Sequence, residues 1–217
     1  MRIYIDSADR QAITEALATG YVYGVTTNPT LLRRAGVRAS EVPDLARLAF
    51  EHGAREIHLQ TYAEDAAGIV SEGVELARLG PERVAVKIPA TPAGYAAAAE
   101  LAGQGLRVTL TAVYTVRQAL LANSVSAHYI AVYLGRMRDA GMDSLAVIGR
   151  MQQAIDVYHS KLEILAASVR DPEEVEALAA LGVATVTLPP AVLRQLPDSD
   201  QTKAAAQTFS EDARAIN

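Results

Sequence analysis

A chain of 217 residues, half of them hydrophobic and 21% charged, has the composition of a globular protein with one substantial core. Its net charge of −5, with lysine and arginine scattered, argues against a nucleic-acid or anionic-membrane surface, and the absence of cysteine removes disulfides, thiolate zinc sites and cysteine nucleophiles. No apolar stretch approaches the ~18 residues that span a bilayer. Met1-Arg2-Ile3-Tyr4-Ile5-Asp6 enters a strand pattern with no signal segment ahead of it, so a cytoplasmic setting is expected.

A first strand is expected over Arg2–Asp6 and a helix over Ala8–Ala18. A second strand, Gly24–Thr27, leads through Asn28-Pro29 to a helix over Val42–His52. The third strand, Glu56–Thr61, precedes a helix over Ala63–Leu79, and the fourth, Val84–Pro89, one over Ala93–Ala102. Strands over Arg107–Val113 and Tyr129–Leu134 precede helices over Val116–Ser124 and Asp143–His159. Strands over Lys161–Ala167 and Thr185–Leu188 flank a helix over Pro172–Leu181, which starts behind a capping Asp171. Gly80, Gly103 and Gly182 fall where helices should stop. Such alternation means a parallel sheet with crossover helices. Eight strands suit a closed (β/α)8 TIM barrel in a single domain over 1–217, although ~250 residues is more usual. The alternative, an open doubly wound sheet, normally shows a glycine fingerprint after its first strand, where this chain has Asp6-Ser7-Ala8-Asp9. A last helix over Asp200–Ile216 follows the eighth unit.

Within the strands, Ile3 and Ile5, Ile57 and Leu59, Val108 and Leu110, and Ile130 and Val132 form an apolar face that must lie under the helices. The opposite face turns polar toward the strand ends, where barrels of this kind do their chemistry: Asp6, Asn28, Gln60, Lys87, Thr111, Tyr133 and Ser168. Lys87 is the most informative of them, because Val84-Ala85-Val86-Lys87-Ile88-Pro89 is otherwise wholly apolar. Lysine is almost never buried without a partner or a purpose. Burial disfavours an ammonium ion, and a neutral amine in a pocket is the nucleophile that forms a Schiff base with a carbonyl. The plainer alternative is a packed lysine stem whose amine reaches a carboxylate or the strand end.

The neighbours have plain readings as well: Asp6 as a helix cap, Asn28 as a turn former, Thr109 and Thr111 as strand formers, Tyr133 as a core aromatic and Arg136 as a surface side chain. Thr26, Thr27 and Asn28 also put hydroxyl and amide groups at a strand end, which suits a polyhydroxylated ligand. Arg136 and Ser168, beyond the sixth strand and at the end of the seventh, lie where barrels bind phosphate. His52, His58, His128 and His159 fall in separate units without zinc spacing, and Gly103-Gln104-Gly105 is a lone Gly-x-Gly.

Three strings, Ile3-Tyr4-Ile5-Asp6-Ser7, Gly24-Val25-Thr26-Thr27-Asn28-Pro29-Thr30-Leu31 and Val84-Ala85-Val86-Lys87-Ile88-Pro89-Ala90-Thr91, resemble the transaldolase family, and within it the short-chain branch that includes fructose-6-phosphate aldolase. The likeness continues through Val108–Tyr114, Tyr129–Arg136 and Leu165–Ser168. It implies a class I mechanism needing no metal or cofactor, with Lys87 forming the Schiff base at C2 of a ketose phosphate. Asp6 and Asn28 would orient hydroxyls and assist proton transfers; Gln60, Thr111 and Tyr133 would hold a proton-relaying water; Arg136 and Ser168 would grip the phosphate. Transaldolases usually carry glutamate in the place of Gln60 and phenylalanine in that of Tyr133, so both positions resemble the aldolase version. Val132 in place of the family's usual proline is a departure, and Gly135 resembles the transaldolase form. The resemblance therefore implies cleavage of fructose 6-phosphate to dihydroxyacetone and glyceraldehyde 3-phosphate. Transfer of the three-carbon unit to another sugar phosphate is the alternative, and an inactive sugar-phosphate-binding protein a third reading. It also implies that the last helix packs on a neighbouring subunit of a homo-oligomer, a pentamer or decamer, with no nucleic-acid or membrane partner.

Overall fold

In the computed structural model, which describes residues 1–216, eight parallel strands close into one barrel in sequence order, the last pairing with the first. Asn217, the end of the domain expected over 1–217, lies outside the described residues. The strands are β1 (Arg2–Asp6), β2 (Val22–Thr26), β3 (Glu56–Gln60), β4 (Val84–Pro89), β5 (Arg107–Val113), β6 (Tyr129–Tyr133), β7 (Glu163–Ala167) and β8 (Thr185–Leu188). The (β/α)8 expectation is met, and the open-sheet alternative falls with the β1–β8 pairing. Among the described residues no helix is long and apolar enough to cross a membrane.

Period-two alternation sorts the side chains as expected. Ile5, Ile57, Leu59, Val86, Ile88, Val108, Leu110, Ile130 and Val132 belong to the large core between strands and helices, all at most 1% exposed. Tyr4, Ala131 and Leu165, with Tyr23 and Tyr133 against them, form a separate cluster in the lumen.

The helices are α1 (Arg10–Ala18), α2 (Pro29–Arg34), α3 (Val42–Glu51), α4 (Ala66–Ala77), α5 (Pro92–Gly103), α6 (Val116–Ser124), α7 (Leu134–Asp139), α8 (Ser144–Val157), α9 (Pro172–Ala180), α10 (Pro190–Leu193) and α11 (Asp200–Ala215), with a 3-10 turn over Ala39–Glu41. Their starts follow the caps. Asp9, not Ala8, opens α1 by accepting from Ala12 N at 2.7 Å, and Asp65 opens α4 three residues later than the expected Ala63. Three short helices, α2, α7 and α10, were not expected. Asn28 accepts from Leu31 N at 3.0 Å and caps α2, with Pro29 in the first turn, so the Asn-Pro pair starts a helix and not a bare turn. Leu134 leaves the sixth strand and opens α7. The second strand begins two residues earlier than expected, because Val22 pairs with Ile3 across a register shift. The seventh begins two residues later, at Glu163.

Candidate active site

The lower lumen is filled by one buried polar network. Glu56 and His58 stand two residues apart on β3 and so share a face. His58 Nε2–H donates to Glu56 Oε1 at 2.8 Å, and Tyr4 Oη–H donates to the same oxygen at 2.9 Å. Arg107 approaches Glu56 Oε2 at 2.6 Å and donates to the Tyr129 hydroxyl at 2.8 Å. Burial alone would raise the Glu56 carboxyl, but the His58 hydrogen bond, the Arg107 charge and the Tyr4 hydroxyl hold it at about 2. Burial lowers His58 below the usual imidazole range in spite of Glu56, so the ring is neutral. With its Nε2 proton given to Glu56, its Nδ1 accepts from Thr109 Oγ1 at 2.8 Å. Burial beside Glu56 and Tyr129 pushes Tyr4 far above the usual phenol range. The His58 ring packs edge-on against Tyr4 at 5.3 Å and tilted against Tyr129 at 5.0 Å.

Above this plug, at the C-terminal ends of the strands, a cavity of about 150 Å³ is lined by Asp6, Asn28, Thr30, Leu31, Arg34, Lys87, Tyr133, Arg136, Ala167 and Ser168. Lys87 is 2% exposed, and its ammonium group donates to Thr27 O at 3.2 Å. No carboxylate pairs with it among the described ion pairs; of the plainer alternative, the amine reaches a strand end, the Thr27 carbonyl just beyond β2. Asp6 does not cap α1. Its Oδ1 accepts from Thr26 Oγ1 at 2.7 Å, and Thr187 donates to Thr26 in turn at 2.6 Å. Burial raises Asp6, opposed by the Lys87 charge, the Thr26 hydrogen bond and the Arg136 charge. The Tyr133 hydroxyl lies 2.8 Å from Thr111 Oγ1, and the Arg136 guanidinium stacks 4.5 Å from the centroid of the Tyr133 ring.

Ser168 closes the wall beyond β7 in a left-handed conformation, φ +61°. Its carbonyl accepts from Gly135 N at 3.1 Å, which seats the first turn of α7 directly against it. A Cβ on Gly135 would lie 2.4 Å from that carbonyl oxygen. Glycine is therefore required here by a close backbone approach, whatever its own torsion angles.

Of the residues expected at the site, Asp6, Asn28, Lys87, Tyr133, Arg136 and Ser168 share the cavity, with Thr26 and Thr111 bonded to its members. Gln60 does not line it; this residue borders a separate groove with Pro43, Tyr62 and Glu72. Thr30, Leu31 and Arg34 line it without having been expected, because the helix that carries them was too short to read. A larger groove of about 460 Å³ runs along α2 among Pro29, Leu32, Val37 and Tyr62. Its ionisable side chains are Arg33, Arg38 and Tyr62, with no lysine or carboxylate among them. No cluster of three or more potential metal-ligating side chains occurs among the described residues.

The backbone is similar to thiamine phosphate pyrophosphorylase from Pyrococcus furiosus, with a TM-score of 0.62, 16% identity and coverage of 90% of this chain and 93% of that one. At that identity the likeness speaks to the fold alone and places the molecule among the parallel-barrel proteins. The sequence goes further. Residues 3–217 match the family described as transaldolase/fructose-6-phosphate aldolase, and the chain belongs to that family. Relatives named "Probable transaldolase" include one from Hyphomonas neptunium, 36% identical over 215 residues, covering 99% of this chain and 97% of the relative. Another, from Heliobacterium modesticaldum, is 35% identical over 217 residues, covering 100% and 99%.

Proposed function

We propose that the protein is a class I aldolase that cleaves fructose 6-phosphate to dihydroxyacetone and glyceraldehyde 3-phosphate. The Lys87 amine adds to the C2 carbonyl, and loss of water leaves an iminium. When the C3–C4 bond breaks, its electron pair passes into the iminium to give an enamine; the C4 hydroxyl gives up its proton and the aldehyde phosphate departs. Protonation at C3 and addition of water then release dihydroxyacetone and restore the amine. Tyr133, held by Thr111, is the acid and base of these steps, relayed through water; Asp6 and Asn28 orient hydroxyls and serve the carbinolamine. Arg136 and Ser168 hold the phosphate.

The observation that supports the aldolase reading is the Tyr133–Thr111 hydrogen bond, which sets a phenol hydroxyl in the cavity of Lys87 where it can relay a proton. Transaldolase is the second reading, favoured by the names of the relatives. A product assay separates them. The aldolase releases both three-carbon products from fructose 6-phosphate alone; release that depends on added erythrose 4-phosphate makes the protein a transaldolase. In the same reading α11, which buries none of its residues, packs on a neighbouring copy in a cytoplasmic homo-oligomer.

A further inference from the structure

Among the described residues, two guanidinium groups at the barrel mouth form no ion pair. Arg138 is paired with Glu174 and Arg170 with Asp139, but Arg34 and Arg136 form no ion pair among the described residues. Both line the Lys87 cavity. They reach it from different walls: Arg136 sits on α7 after β6, while Arg34 sits in the last turn of α2 after β2. In a closed eight-stranded barrel in sequence order, β2 and β6 stand four strands apart and face each other across the mouth. A ligand of the size of this cavity therefore lies between the two arginines.

The charge count points the same way. With Lys87 as the iminium it forms on the substrate, Lys87, Arg34 and Arg136 face the single carboxylate of Asp6, an excess of two positive charges in a space of about 150 Å³. A phosphate monoester brings about −1.5 to −2 near neutral pH, so a single arginine would leave the complex short of neutral. Arginine is also the side chain whose planar fork matches phosphate oxygens. We infer that Arg34 is a second phosphate-binding residue, which closes on the substrate phosphate from the wall opposite Arg136 and Ser168 and makes the site selective for phosphorylated sugars. This rests on the ketose-phosphate reading given above.

The test compares Arg34→Gln, Arg34→Lys and Arg136→Ala with the natural protein, using fructose 6-phosphate and unphosphorylated fructose. Binding of inorganic phosphate, measured by calorimetry, gives a readout that needs no turnover. Arg34 is exposed, so the substitutions carry little risk to folding. The ratio of kcat/KM for the phosphorylated over the unphosphorylated sugar should fall roughly ten- to a hundred-fold in Arg34→Gln, the size of one charge-assisted contact. Phosphate affinity should weaken to a similar degree. Arg34→Lys should recover part of both losses, because it keeps the charge without the fork. If Arg136→Ala lowers the ratio and Arg34→Gln leaves both the ratio and phosphate affinity unchanged, Arg34 is a surface residue and the inference falls while the site's reading stands. If the natural protein turns over no ketose phosphate, that reading falls instead. The inference is then decided by calorimetry, where undiminished phosphate binding in Arg34→Gln overturns it.

Discussion

Gly135→Ala isolates the geometry of the wall proposed to hold the phosphate from its charges. The added methyl would lie 2.4 Å from Ser168 O, 2.8 Å from Arg170 Nε and 2.9 Å from Ser168 Oγ. Carbon and oxygen meet comfortably only at about 3.3–3.6 Å, so α7 and the end of β7 must part by roughly 1 Å. The Arg170 side chain can swing aside, but the Ser168 carbonyl is backbone. The 3.1 Å bond from Gly135 N to that carbonyl is lost in the process. Overpacking of this kind costs about 1–3 kcal/mol. For a domain of this length that corresponds to a fall in Tm of about 2–12 °C. Arg136 is the next residue along and Ser168 is the one displaced, so their spacing opens together. A 1 Å misplacement of a positioning group costs on the order of a hundred-fold in rate. The expected result is a loss of kcat/KM concentrated on phosphorylated substrates, alongside a Lys87 that still reacts with dihydroxyacetone. Parallel assays with phosphorylated and unphosphorylated sugars read it directly. A variant with unchanged Tm and unchanged substrate preference would refute the reasoning, since it would mean that the methyl is accommodated without moving the wall.

Three further outcomes are expected. Incubation with dihydroxyacetone and borohydride should add one reduced three-carbon unit at Lys87, located by peptide mass; Lys87→Met should abolish it, and label on Lys161 or Lys203 would place the nucleophile elsewhere. Glu56, held at about 2 in the folded state against an ordinary 4.5, contributes stability that is present above pH 4.5 and lost as pH falls toward 2. That contribution is on the order of 3 kcal/mol, so urea midpoints should drop across this window and Glu56→Gln should flatten the drop. Deleting residues 200–217 should convert a large homo-oligomer to smaller species by light scattering; a monomer both before and after would remove the role proposed for α11.

The barrel was legible because period-two alternation is carried by every strand independently, and one misjudged end, as at Val22 or Leu134, does not shift the rest. Lys87 stood out for a related reason: a single charge in an apolar strand contradicts its surroundings. The short helices α2, α7 and α10 were not legible, since four to six residues do not complete a helical period twice. With α2 went Arg34, whose position at the cavity depends on a helix that the residues do not announce. The Glu56 network shows a different limit. Alternation turns His58 away from Ile57 and Leu59, but Tyr4 and Tyr129 lie 52 and 73 positions from Glu56, and nothing in either strand names the other as its partner. Gln60 shows a third: a strand-end position fixes the Cα, while the groove its side chain borders is decided by the loop around Tyr62.

Because Tyr4, His58 and Tyr129 fill the lumen below it, the Lys87 chamber has no passage through the barrel and is reached from the strands' C-terminal side. On the Schiff-base reading proposed above, what is bound to the lysine would wait while the aldehyde leaves on the side from which water, or an incoming sugar, has to enter. Traffic of that kind is strictly by turns. Were an acceptor sugar used, such an order would give parallel lines in double-reciprocal plots of acceptor against donor, with the released aldehyde a rival of the next molecule in the queue.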